Sequence, residues 1–258
     1  MNSPLPLPDP DNPDWALFLD IDGTLVALAD HPEAAVASPE LVPLLTQLRA
    51  ALGGALALIS GRSLASQKLL LRTDLLDAAG CHGAETRMGG HIQVHAPTQQ
   101  NIHPIVQRLG KLVTGIPSTL IEVKPHAIAF HYRAPALDAS RARQLLTAAL
   151  AEDRAAFRLL EGKNVLEALP VGIGKGEAIA LFLRHAPYAG RLPVFVGDDV
   201  TDEEGFVEVN RRQGHSIRVG AASATVAGYH VASVREVLAW LRGPVCARLG
   251  CGQPGEWS

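Results

Sequence analysis

The sequence lacks the features that would place it in a membrane, on nucleic acid or inside a disulfide scaffold. No stretch approaches the roughly 20 consecutive apolar residues of a membrane-spanning helix. Basic residues are not in excess: 23 Lys and Arg against 26 Asp and Glu leave a net charge of −3, no footing for nucleic acid or an anionic lipid surface. Cysteine is scarce as well. Cys81, Cys246 and Cys251 are odd in number and too few to staple 258 residues, which excludes a disulfide framework. Aromatics, at 5%, are too sparse for a base-stacking platform, so Trp15 and Trp240 read as packing. Apart from His82 and His131, the histidines show no metal-ligand spacing.

What remains is a globular composition, 47% hydrophobic and 19% charged, in a chain long enough for one large core with a smaller insert. A small-molecule substrate is the default partner. Residues 1–14 carry Pro4, Pro6, Pro8, Pro10 and Pro13 without a basic region or an apolar core, so they form no signal peptide. They are expected to be a disordered leader of a cytoplasmic protein, and residues 243–258 a loose tail.

The most informative stretch is Leu17–Leu25, an aliphatic run that ends in Asp20, Asp22, Gly23 and Thr24. Such a run reads as a buried parallel strand whose carboxyl end opens into a site. Ser38-Pro39-Glu40 then signals a helix start, with Leu41, Leu44, Leu45 and Leu48 on one face and Gly53-Gly54 closing it. A second strand, Ala55–Ile59, runs into Ser60-Gly61-Arg62. Strand, helix, strand implies a right-handed crossover in a parallel sheet. A third apolar stretch, Leu75–Ala79, leads to Cys81-His82-Gly83-Ala84-Glu85 and a hairpin turn at Gly89-Gly90.

Between about residues 97 and 171 the pattern changes to helix, strand pair, helix, strand pair, which suggests an α+β unit with its own sheet. Asp138 caps its second helix. The parallel pattern resumes with Gly174-Lys175-Gly176 opening a helix and with strand Leu192–Val196 ending in Gly197-Asp198-Asp199-Val200-Thr201-Asp202. The core is therefore expected at 15–96 and 172–242, with the insert at 97–171.

Asp20, Asp22 and Asp198 at strand ends would repel one another in a cleft unless a cation sat between them. Hard oxygen ligands suit Mg²⁺, with Asp199 and Asp202 in support. Thr24, Ser60 and Lys175 supply donors for phosphate oxygens, so the reaction assembled is phosphoryl transfer. Asp20 fits the nucleophile of an aspartyl-phosphate route. Asp22 fits the acid that protonates the leaving oxygen and then the base that deprotonates water. An EF-hand is excluded because Gly23 leads into Thr-Leu-Val-Ala rather than toward a twelfth-position glutamate.

These motifs, Asp20–Thr24, Ser60, Lys175 and Gly197–Asp199, resemble those of the haloacid dehalogenase-type phosphatases. That resemblance implies a doubly wound, Rossmann-like α/β core, Mg²⁺, Asp20 as nucleophile, Asp22 as general acid and base, and an inserted α+β cap that closes over the substrate. The nearer resemblance is to the trehalose-6-phosphate phosphatases. It rests on Ser60-Gly61-Arg62, His82–Glu85, His131-Tyr132-Arg133, Gly162-Lys163, Glu167, Lys175-Gly176 and Gly197–Glu203, and runs from Leu17 to about Leu241. It implies a monomeric enzyme with a functional link to a trehalose-phosphate synthase. On this reading Arg62, His82 and Glu85 at the core rim and Lys124, His131, Arg133, Lys163 and Glu167 in the insert bind the sugar. The insert's charges also fit an ordinary sheet with one wet face. Other outcomes left open are a phosphatase of sucrose phosphate or a glucosyl-glycerate phosphate, a phosphomutase, and a non-catalytic partner of a glycosyltransferase.

Overall fold

The computed structural model describes residues 4–11, 14–29, 31–95, 99–133, 137–162, 164–221 and 224–251. Its strands form where aliphatic residues stand at every position, because a strand covered on both faces has no wet side to offer. β1 (Trp15–Leu19) is buried at all five positions. Next come α1 (Leu41–Ala51), β2 (Leu56–Ile59), α2 (Leu64–Leu71) and β3 (Asp77–Gly80). α1 buries Leu41, Leu44, Leu45 and Leu48, the expected stripe. It begins two residues later than its Ser-Pro-Glu signal suggests, because Pro39 and Glu40 form a turn in which the Glu40 N–H reaches Ser38 Oγ at 3.4 Å. β4 (Glu85–Met88) and β5 (His91–Val94) flank Gly89-Gly90, whose φ of 56° and 82° are the left-handed values a tight hairpin requires.

The chain then builds a unit with its own core. α3 (Gln99–Leu112), β6 (Leu120–Val123), β7 (Ile128–His131), α4 (Ala139–Leu150), β8 (Phe157–Gly162) and β9 (Val165–Pro170) follow in that order. Asp138 caps α4, its Oδ1 accepting the Arg141 N–H at 2.7 Å. The strands form an antiparallel sheet in the order β6-β7-β9-β8. Ile128, Phe130, Leu166 and Ala168 on one face pack with Ile105, Leu109 and Leu146 from the helices. The period of two sends Glu122, Ala129 and Glu167, which lie opposite one another, to the other face.

α5 (Lys175–Phe182), β10 (Leu192–Gly197), α6 (Asp202–Arg211), β11 (His215–Val219), β12 (Tyr229–Val231), α7 (Val234–Trp240) and α8 (Cys246–Leu249) complete the core. The large sheet has the order β12-β11-β10-β1-β2-β3-β4-β5, parallel from β12 to β3 and antiparallel at β3–β4. β1 lies between β10 and β2, where the strand order reverses, which is the switch point at which open α/β sheets bind ligands. The chain divides into Met1–Gln93 with Gly174–Ser258 and Val94–Ile173, beside the expected joints at 96/97 and 171/172.

Both ends differ from expectation where they are described. Leu5 packs against the core, and the Trp240 indole N–H donates to the Pro6 carbonyl at 3.1 Å. At the other end a π-helical turn, Leu241–Val245, carries the helix past Pro244 into α8. Val237, Leu241 and Val245 share one face and are buried, so the apolar stripe continues where Gly243-Pro244 suggested a break. Among the described residues no helix is long and apolar enough to cross a membrane.

Candidate active site

Four segments meet at the carboxyl edge of the central strands. Asp20 leaves β1 still paired, its N–H donating to the Val196 carbonyl at 3.0 Å. The chain then turns on Gly23 at φ +74°, with Leu25 and Val26 returning hydrogen bonds to the Ile21 carbonyl at 2.8 and 2.9 Å. Only glycine fits there: a Cβ would stand 2.1 Å from Asp198 Oδ2. The turn thereby presses the loop after β1 against the loop after β10.

Lys175, the first residue of α5, is 3% exposed and donates from Nζ to Asp20 Oδ1 at 2.9 Å and Asp202 Oδ1 at 2.6 Å. A cation at a helix N-terminus opposes the helix dipole, and burying it costs several kcal/mol, so its two carboxylates must offset both. Asp202, fully buried, also receives the N–H groups of Asp198 at 3.0 Å and Asp199 at 2.8 Å on Oδ2. Gly197 makes room for it, since a Cβ there would lie 2.3 Å from Asp202 Cγ. Asp202 therefore ties Lys175 to the loop after β10.

Asp20, Asp198 and Asp202 form the one acidic cluster of metal-binding dimensions among the described residues, their oxygens within 4.8 Å of one another. Burial, reinforced by Asp202 and Asp198, holds the Asp20 carboxyl well above its ordinary range despite the pull of Lys175. Burial and then Asp202 push Asp198 up to about 6. For Lys175, desolvation pulls downward but Asp20 and Asp202 outweigh it, so the ammonium is held above its ordinary value. Three carboxylates against one ammonium leave two charges uncompensated, and the set fits a divalent cation. Both Asp202 oxygens are engaged by donors, which leaves Asp20 and Asp198 to face such an ion.

The Asp22 carboxylate stands outside this cluster and is paired with Arg62. Thr24 is fully buried, with Oγ1 3.5 Å from Asp198 Oδ1. Ser60 is buried at the end of β2, its Oγ accepting the Arg62 N–H at 3.2 Å. Asp199 is exposed and acts through its main chain, its carbonyl accepting from Arg218 Nη1 at 2.8 Å. Arg218, an arginine within a buried strand, escaped the sequence reading, although a charge in an apolar run was its signal.

At the rim, Cys81, His82 and Gly83 take successive φ of 49°, 61° and 107°. Left-handed conformations at non-glycine residues cost about 1 kcal/mol or more each, so the surroundings hold this turn in place. Its result is a His82 ring laid on Gly61, where a Cβ would meet it at 2.8 Å. Glu85 accepts from Cys81 Sγ at 3.2 Å.

In the smaller unit Lys124 Nζ donates to Glu167 Oε1 at 2.8 Å, and His131 Nε2 lies 2.9 Å from Glu122 Oε2. The structure thus joins Lys124, His131 and Glu167 on the polar sheet face. Arg133 is exposed beyond β7, and Lys163 lies outside the described residues.

The trehalose-phosphatase family model matches residues 18–235. The trehalose-6-phosphate phosphatase of Escherichia coli (strain K12) is 40% identical over 230 residues, covering 88% of this chain and 85% of its own. A Sinorhizobium fredii protein described as "Probable trehalose-phosphate phosphatase" is 41% identical over 207 residues, covering 80% and 78%. Among solved structures, the C-terminal domain of the C. albicans trehalose-6-phosphate phosphatase superposes with a TM-score of 0.74 over 92% of this chain and 93% of that one. At 24% identity the last match bears on the fold.

Proposed function

The chain belongs to the trehalose-phosphatase family, and from that premise we propose that it hydrolyses trehalose 6-phosphate to trehalose and phosphate through an aspartyl-phosphate. It is on this reading a phosphoric monoester hydrolase of the haloacid dehalogenase type. The observation that carries the proposal is Asp20: a buried carboxylate fixed by Lys175 at 2.9 Å, within reach of Asp198, at the switch point of the sheet.

Asp20 attacks phosphorus as the bond to the sugar oxygen breaks. Asp22 gives that oxygen a proton and later takes one from the water that cleaves the aspartyl-phosphate. Lys175, Ser60 and Thr24 offer donors to the phosphoryl oxygens, and Asp202 holds Lys175 in place. The family implies a divalent metal, for which we assign Mg²⁺ held by Asp20 and Asp198; when bound it neutralises phosphoryl charge. Glu122, Lys124, His131, Arg133, Lys163 and Glu167 of the smaller unit offer the donors and acceptors that sugar hydroxyls require. We take the enzyme as a monomer whose substrate a trehalose-phosphate synthase would supply. Three free thiols support a cytoplasmic setting.

Phosphate release from trehalose 6-phosphate, glucose 6-phosphate, sucrose 6-phosphate and a glucosyl-glycerate phosphate, with Mg²⁺ or with chelator, tests the proposal. Trehalose 6-phosphate should be turned over fastest, only with the metal, and Asp20→Asn should lower turnover by about 10⁴-fold or more and abolish the trapped phosphoenzyme. A preference for another sugar phosphate sinks the substrate assignment. Appreciable turnover by Asp20→Asn sinks the mechanism.

A further inference from the structure

The Asp22 carboxylate is held at both of its oxygens. Arg62 Nε donates to Oδ2 at 2.6 Å and Nη2 donates to Oδ1 at 2.7 Å, a two-point fork that occupies both oxygens. The two partners are unequally held. The Arg62 side chain is 8% exposed and that of Asp22 is 31% exposed. Arg62 Nη1 also donates to Ser66 Oγ at 3.3 Å, and the Arg62 carbonyl accepts the Cys81 N–H at 2.9 Å and the Gln67 amide at 3.2 Å. Gln67 is itself buried, and Ser63 caps α2 beneath it. Arg62 is thus built into the scaffold, whereas Asp22 sits on the turn that Gly23 allows.

We propose that Arg62 is the positioning residue for Asp22, a clamp that fixes the orientation of its carboxylate by two points. This inference rests on the acid–base role of Asp22 given above. It moves Arg62 from sugar recognition, where its motif had placed it, to the control of proton transfer. The fork takes one lone pair on each oxygen and leaves the carboxylate its remaining lone pairs for the leaving oxygen and for water.

Held in this register, Asp22 carries a proton to the bridging oxygen as the phosphorus–sugar bond breaks and the bond from Asp20 to phosphorus forms. In the second half the Asp22 carboxylate accepts a proton from water as water attacks phosphorus and Asp20 departs. No other donor or oxidant is needed. Lysine could keep the charge but only one point of contact, so the planar fork is what fixes the carboxylate's orientation.

The test is leaving-group dependence, which a merely structural role would not alter. kcat/KM is measured for phosphate monoesters with leaving groups ranging from p-nitrophenol, which departs unaided, to simple alkanols, which need protonation. The proteins are the wild type, Arg62→Ala, Arg62→Lys, Asp22→Asn and the double variant Arg62→Ala/Asp22→Asn. Arg62→Ala should lose about 10- to 100-fold on alkyl phosphates and less than about threefold on p-nitrophenyl phosphate, with Arg62→Lys between it and the wild type. The double variant should be no worse on alkyl phosphates than Asp22→Asn alone.

An equal loss on every leaving group, or multiplicative losses in the double variant, overturns the proposal. So does a loss restricted to trehalose 6-phosphate, which would return Arg62 to sugar binding. If Asp22→Asn shows no leaving-group dependence, the acid–base assignment fails and the clamp with it. A steep dependence for Asp22→Asn beside a flat one for Arg62→Ala removes the clamp alone.

Discussion

The two units carry opposite charge economies. At the core's strand ends, Lys175, Asp20 and Asp202 are at most 5% exposed, and every partner is fixed by a main-chain turn, a capped helix or a glycine that admits it. On the sheet of the smaller unit, the His131–Glu122 pair is 40% and 48% exposed and Lys124–Glu167 is 26% and 11% exposed. An exposed pair contributes about 0–1 kcal/mol, whereas removing one member of a buried set costs about 3–5 kcal/mol. On the function proposed, the nucleophile and the phosphate-binding lysine are desolvated and preorganised, whereas the sugar-binding side chains stay within reach of water.

This contrast breaks most easily at Asp202. Asp202→Ala strands two main-chain N–H groups and leaves Lys175 with Asp20 alone, so it should cost about 3 kcal/mol or more in the denaturant midpoint and about 10²-fold in turnover. A loss below about 1 kcal/mol would place the core site in the same class as the surface pairs.

Glu167→Ala tests the other side. It should reduce kcat/KM for trehalose 6-phosphate by about 10- to 100-fold, leave a small aryl phosphate within about threefold, and shift stability by about 1 kcal/mol. Equal losses on both substrates would make Glu167 a structural member of its sheet.

The smallest effect sharpens the comparison through pH. Burial pushes Asp198 from its ordinary 3.8 up to about 6, so the metal-free fold binds a proton that the unfolded chain has released. Stability from this group is full below about pH 4 and lost as pH rises through about 6. In chelator, Asp198→Asn should therefore match the wild-type melting temperature near pH 4 and exceed it by a few degrees near pH 7.5. Added Mg²⁺ should reverse that order at pH 7.5, because only the wild type keeps the full ligand pair. Parallel melting curves at both pH values would show that Asp198 carries no such strain.

Much of the core was legible because its strands are covered on both faces, so their composition alone marks them. Asp20, Ser60, Lys175 and Asp198 stood out as polar groups at the ends of apolar runs, which is where the sheet gathers them. What escaped was tertiary. Asp22 and Arg62 are 40 positions apart, and nothing local announces that the acid leaves its neighbours for a guanidinium. Asp202 was legible as a supporting acid, but its hold on Lys175, 27 positions away, was not. The tail misled for a related reason: Gly243-Pro244 has the composition of a break, and the π-helical turn absorbs it.

The insertion point also fixes an order of assembly during synthesis. β1 is made early, yet the neighbour that completes its pairing on one side, β10, is made only after the entire smaller unit. Thr24 waits for Asp198 across 174 residues, on the order of ten seconds or more of translation. In that interval a strand destined for full burial has one open edge, while the smaller unit, with a core of its own, can already close. The nascent chain therefore holds Asp20 long before it holds the aspartate loop set against it.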